Sequence, residues 1–152
     1  QLQLTPVDGI VLPAIAMTSD KDQCSFLNEA GRCSIHMFRP GFCRLFPLGR
    51  VYDGTGFSYF LQTGQCKKEH LAKVKVRQWI NIPELKRYEQ FVCDWHYFLK
   101  DLAKTSQGLS PELIKTLHSY ILKVFYLTPY QDGSDFYDQF YMRLNDAKKL
   151  FL

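Results

Sequence analysis

The chain has 152 residues, is 46% apolar and 15% aromatic, and carries a formal net charge of +4. That length fits one domain able to bury about 70% of the surface its unfolded form would expose, and the apolar content excludes intrinsic disorder. The charge is too slight to argue for a polyanionic partner, and no apolar run approaches the roughly 20 residues that cross a bilayer.

Residues 1–66 are rich in Gly, Pro and Cys and poor in helical periodicity. Their clearest local signal is the turn Tyr52-Asp53-Gly54-Thr55-Gly56, with apolar residues on both sides, which predicts a small hairpin pairing Gly49–Val51 with Phe57–Leu61. Beyond it a short helix is expected over Val76–Ile80. Leu85, Tyr88, Val92, Trp95, Leu99 and Leu102 then recur at three- and four-residue steps, the stripe of a long helix whose first turn would accept Pro83. Gly108 permits a stop. Ser110-Pro111 reads as a cap followed by proline at the first helical position, and Leu113, Leu117, Tyr120, Ile121, Val124 and Phe125 supply the next face. Pro129 and Gly133 break it. A last helix after Ser134 carries Phe136, Tyr137, Phe140, Tyr141, Leu144 and Phe151. The expected fold is mainly α: a small bundle of three longer helices and a short one, with an irregular Cys-rich N-terminal lobe holding one hairpin. It is expected as a single domain over 1–152, with the lobe at 1–66 and the bundle at 76–152.

The lobe poses a physical problem. Holding its roughly 45 residues from 20 to 66 in place costs about 1–2 kcal/mol each in backbone entropy, and no periodic apolar pattern offsets that. A structural metal would, since zinc contributes an apparent 10–16 kcal/mol or so in finger peptides. Cys24, Cys33, Cys43 and Cys66 number four, as a tetrahedral zinc site or a four-iron cluster requires. Their spacing of eight, nine and twenty-two intervening residues lacks the two-residue knuckle of common zinc sites. From the residues alone, small buried apolar thiols remain an equal reading. Disulfides are the lesser one, because the cysteine count is odd and no export leader opens the chain. The expected location is accordingly cytoplasmic.

The segment Cys24-Ser25-Phe26-Leu27, Cys33-Ser34-Ile35 and Arg39-Pro40-Gly41-Phe42-Cys43-Arg44-Leu45-Phe46-Pro47-Leu48-Gly49-Arg50, closed by Cys66, resembles the YkgJ-type cysteine-cluster family, a zinc- or iron-chelating domain. Leu12–Met17 upstream and Val76–Ile80 downstream share the resemblance, which covers about half the chain. It implies that Cys24, Cys33, Cys43 and Cys66 hold metal, with an iron–sulfur cluster slightly favoured over zinc. The family's further run of the form CxxCxxCC is absent here, and the chain opens on Gln1, so an upstream segment is expected to carry it. His36 stands where relatives have tyrosine.

On this reading Arg39, Arg44 and His36 surround the thiolates, the guanidinium groups offsetting negative charge and donating to sulfur. Pro40 and Pro47 stiffen the loop, and Phe38, Phe42 and Phe46 exclude water. Solvated surface arginines are the equal alternative. Cys93, within the helical stripe, reads as a packed core thiol. No third group orients a Cys33–His36 pair for catalysis, and Gly54-Thr55-Gly56 lacks the lysine of a phosphate loop. The basic stretch of residues 67–77 is interrupted by Glu69 and reads as a solvated face, which leaves nucleic acid an unfavoured partner and no membrane partner. The expected function is thus metal binding; the bundle's aromatics read first as core packing and second as a surface for a protein partner. The alternatives are a protein-modifying enzyme, because flagellin lysine methylases carry a similar motif, and an adaptor binding protein or nucleic acid through residues 67–77.

Overall fold

The computed structural model describes residues 1–18, 23–64 and 72–152. In chain order the elements are β1 (Leu2–Val7), β2 (Ile10–Ile15), a 3-10 turn (His36–Phe38), α1 (Gly41–Leu45), β3 (Leu48–Tyr52), β4 (Phe57–Leu61), α2 (Val76–Ile80), α3 (Leu85–Ser106), α4 (Pro111–Ile121) running into a π-helical stretch (Leu122–Leu127), and α5 (Phe136–Phe151). Helix makes up 48% of the chain and the strands form only two small two-stranded sheets, so the fold is mainly α, as the periodicity predicts. The chain divides into two compact units, Gln1–Leu27 with Asp94–Leu152, and Asn28–Cys93.

The first unit opens with the antiparallel hairpin β1–β2, in which Leu2 faces Ile15 and Val7 faces Ile10. Its two-residue turn, Asp8-Gly9, has φ of 50° and 86°, and two successive positive φ values match the twist of the strands. This hairpin was not expected from the sequence, where Pro6 and Pro13 weigh against strands. The Ala16 N–H donates to the Gln1 carbonyl, so bonded pairs step by two through Gln3/Ala14, Thr5/Leu12 and Val7/Ile10. Pro6 and Pro13 both fall in the intervening pairs, where a missing N–H removes no ladder bond.

Behind the hairpin, β2 meets the π-helical stretch, Ile10 is fully buried, and His118 Nε2 lies 3.0 Å from the Gly9 carbonyl oxygen. Phe98, Leu102, Leu117, Ile121 and Leu144 have no more than 1% of their surface exposed, and the Trp95 ring sits 4.7 Å from that of Phe125 and 5.8 Å from that of Phe140. On α3 the fully buried positions here are Phe98 and Leu102, one helical turn apart; Phe98 was not in the expected stripe. The Ser110 side chain caps α4, accepting the Leu113 N–H at 3.4 Å, with Pro111 at the first helical position as expected. Asp135, not Ser134, caps α5, accepting the Asp138 N–H at 3.0 Å.

The second unit contains the expected hairpin, slightly longer, with Leu48 opposite Leu61 and Tyr52 opposite Phe57. The Asp53 carboxylate accepts the N–H groups of Thr55 (3.0 Å) and Gly56 (2.7 Å), and these bonds hold it below the usual carboxylate range. A β-carbon on Gly49 would collide with the Phe60 ring, so this position admits only glycine while that ring crosses the strand. Arg50 lies among the rings of Phe57, Tyr59 and Tyr88, with its guanidinium carbon 5.1, 5.8 and 5.4 Å from their centroids, and donates to the Tyr88 hydroxyl at 3.1 Å. The helix beyond starts at Leu85. Pro83 precedes it by two residues, because Glu84 adopts a positive φ of 49°.

Candidate metal centre

Each described cysteine owes its position to a different local device. Beyond β2, Met17 bridges Cys24 in antiparallel fashion; the Ser25 N–H donates to Ala16 and the Thr18 N–H to Gln23. Cys24 therefore rides on a short continuation of the first hairpin, in the first unit. Cys33 follows a tight loop in which Asn28 receives the Arg32 N–H on its side chain (2.9 Å) and the Gly31 N–H on its carbonyl (2.8 Å), with Gly31 at φ 68°. Cys43 sits at the centre of α1, its N–H bonded to the Pro40 carbonyl at 3.0 Å. All three thiols are half-buried and none is in a disulfide. Cys33 and Cys43 belong to the second unit. Cys66 lies outside the described residues, as do Lys67, Lys68, Glu69 and His70 of the basic stretch.

The donor chemistry of these thiols suits a thiophilic metal, but among the described residues no three His, Cys, Asp or Glu side chains converge closely enough to hold an ion. The described ligands do not make a site by themselves.

The neighbouring residues take specific positions. Arg44 spans a backbone junction: Nε donates to the Arg39 carbonyl (3.3 Å), Nη2 to Met37 (3.4 Å) and Nη1 to Asn81 (3.5 Å), which ties the 3-10 turn to the end of α2. Arg39 Nε donates to the His36 carbonyl at 3.2 Å, and the His36 side chain is exposed. Both guanidinium groups thus donate to main-chain carbonyls. The phenylalanines expected to exclude water do not do so here, since Phe38 is 85%, Phe42 59% and Phe46 51% exposed. Of the three only Phe42 lies in α1, a five-residue helix that buries Leu45 alone. The Trp79 indole N–H donates to the Phe46 carbonyl at 3.0 Å and fixes α2 beside α1.

Cys93 is buried, as its helical position predicts, with Sγ 3.8 Å from the Thr55 carbonyl. It forms one end of a feature that the sequence reading missed. A groove of about 540 Å³ lies between residues 55–59 and the α3 positions Lys86, Glu89, Gln90 and Cys93. The Tyr59 hydroxyl donates to Glu89 Oε1 at 3.0 Å across it. Burial and that carboxylate push the Tyr59 phenol up to about 12. The signal was the i, i+3, i+4, i+7 spacing of those four helix positions, hidden because they are mixed in polarity.

No helix among the described residues is long and apolar enough to cross a membrane. No curated protein and no solved structure matches the chain. Residues 8–76 match the family model described as CxxCxxCC: Putative zinc- or iron-chelating domain. The matched segment contains Cys24, Cys33, Cys43 and Cys66 and leaves out Cys93. The cysteine-bearing part of this chain, residues 8–76, is thus similar to the CxxCxxCC domain family described as a putative zinc- or iron-chelating domain.

Proposed function

We propose that this protein chelates a metal through the thiolates of Cys24, Cys33, Cys43 and Cys66, and that the bound species is an iron–sulfur cluster in preference to zinc. The observation that carries the reading is the family match over residues 8–76, which takes in all four of these cysteines and excludes the fifth. The intermediate burial of Cys24, Cys33 and Cys43 supports it, because a ligand sulfur needs access to the metal while being shielded from bulk water. Bound metal would supply the coordination energy that an irregular lobe with few buried side chains lacks. Arg39 and Arg44 would hold the ligand loop through main-chain carbonyls and contribute positive charge near an anionic thiolate set. Such a centre needs a reducing compartment, in keeping with a cytoplasmic location.

The test is elemental analysis and visible spectroscopy of protein purified without oxygen, alongside Cys43→Ala. Stoichiometric iron and sulfide with charge-transfer absorption, both lost in Cys43→Ala, is the expected result. A colourless zinc-loaded protein would reverse the metal choice, and metal content unaffected by Cys43→Ala would remove that residue from the ligand set.

A further inference from the structure

The phenylalanines that do not shield the thiols stand open together with a tryptophan. Met37, Phe38, Phe42, Phe46 and Trp79 are all exposed, Phe38 to 85%. One junction gathers them. The Arg44 guanidinium binds the carbonyls of Met37, Arg39 and Asn81, and the Trp79 indole binds that of Phe46, so the 3-10 turn, α1 and the end of α2 meet around a single side chain. All of it lies in the unit Asn28–Cys93. Large apolar groups gathered on a surface mark an interaction site. The charge around these rings is of one sign. Residues 30–52 and 72–83 hold seven Lys and Arg and no Asp or Glu, whereas the rest of the chain holds twelve against fifteen. The slight net charge of the whole chain conceals this division. None of the seven forms an ion pair among the described residues. Residues 65–71, outside the described set, carry two Lys and one Glu, which leaves the sign unchanged.

We propose that this surface binds single-stranded nucleic acid, with bases stacked on Phe38, Phe42, Phe46 and Trp79 and phosphates held by the arginines. Each ring has an arginine one or two residues away: Phe38 precedes Arg39, Phe42 and Phe46 flank Arg44, and Trp79 follows Arg77. A strand that alternates bases with phosphates meets such an alternation with stacking and charge at once, and every base has a face to stack. Bonds from Arg39 and Arg44 to main-chain carbonyls fix their guanidinium groups before a ligand arrives. A second copy of the chain does not fit, because a symmetric contact would set these cations against their own equivalents. A membrane surface does not account for the geometry either, since elements of three and five residues offer no continuous apolar helix face. An acidic protein would satisfy the charge but gives no reason for a ring beside each arginine.

The probe is a fluorescein-labelled thymidine oligonucleotide of about twelve nucleotides, within the span that one binding domain covers, titrated with the full chain and read by anisotropy over a series of salt concentrations. Binding tighter than about 100 µM at about 50 mM salt, weakening as salt rises, is expected. Phe38→Ala and Phe42→Ala should each weaken it by about fivefold or more, with urea unfolding unchanged because both rings are exposed. Arg77→Gln should lower the slope of log affinity against log salt by about 0.7, the share of one phosphate contact. Lys149→Gln, in the other unit, should alter neither. No binding at low salt, or full binding by both phenylalanine variants, overturns the proposal. An unchanged salt slope in Arg77→Gln removes that residue from the phosphate contacts. Equal affinity for duplex DNA overturns the single-strand assignment. Tighter binding to phosphatidylserine vesicles would assign the surface to a membrane, and equal competition by polyglutamate, which has charge but no bases, would assign it to an acidic protein.

Discussion

Arg143 lays its guanidinium 3.9 Å from the centroid of the Tyr130 ring while its nitrogens bind three carbonyls of the preceding turn: Val124 at 2.6 Å, Thr128 at 2.8 Å and Pro129 at 2.7 Å. Helix ends leave carbonyls without partners, and the π-helical stretch ends where Pro129 forbids continuation. One side chain from α5 thereby closes the end of the preceding helical run. Arg143→Ala is expected to cost about 2–4 kcal/mol, since it removes several charge-assisted bonds and a cation–π contact together. Arg143→Lys should recover less than half, because an ammonium cannot reach all three acceptors in one plane. Urea unfolding of both variants checks this, and equal stability of the alanine and wild-type proteins would refute the closing role.

Gly41 opens α1 against the Tyr88 side chain, and a β-carbon there would overlap the hydroxyl that receives the Arg50 hydrogen bond. A tyrosine ring cannot bend aside as a flexible chain would. Gly41→Ala is therefore expected to destabilise by about 1–3 kcal/mol through overpacking, despite alanine's better helix propensity. Tyr88→Phe removes the overlapping oxygen. Combined with Gly41→Ala it should cost less than the sum of the two single changes, and a double-mutant cycle measures that coupling.

Tyr59 holds its proton to about 12, chiefly through burial, and the nearby Glu89 adds to the shift. An unfolded tyrosine releases its proton near pH 10. The folded state thus binds more protons between those values, and stability falls as pH rises from about 10 to 12, while being unaffected below that window. Tyr59→Phe should flatten part of this decline in urea unfolding series and lower stability by about 1 kcal/mol at neutral pH, the scale of one hydrogen bond. A decline of unchanged steepness in Tyr59→Phe would show that other groups dominate the alkaline limb.

The helices were legible because their apolar spacing survives in the sequence: Leu117, Ile121 and Leu144 are buried where the periodicity puts them. The Asp53–Gly56 turn was legible from its glycines. The first hairpin was not, since Pro6 and Pro13 count against strands until the register shows that neither owes a ladder bond. Phe98 escaped because α3 carries aromatic residues on several sides, and only packing decides which face is inside. The kinship of the cysteine-bearing segment was readable from the loop around Cys33 and Cys43, whereas the placement of the side chains beside them was not. Arg44 reads as a partner for sulfur in sequence, yet in the fold it binds three carbonyls. Short irregular segments give no periodic cue to where a side chain points. The groove left no trace because half of it is main chain, whose bonding state depends on register and not on residue type.

Cys93 separates a structural thiol from the proposed ligands. It is 9% exposed, lies outside the matched segment, and rests its sulfur 3.8 Å from the Thr55 carbonyl. Cys93→Ala deletes one buried atom, so a loss of about 1 kcal/mol in stability is expected, near the ordinary cost of a small core truncation. Metal per chain should stay at the wild-type value, because the sulfur that is removed lies buried against the Thr55 carbonyl and outside the matched segment. The measurement is metal stoichiometry and urea unfolding on the same anaerobic preparation, with Cys43→Ala beside it. Metal lost from Cys93→Ala, with stability otherwise retained, would place this thiol among the ligands and require the set of four to be redrawn.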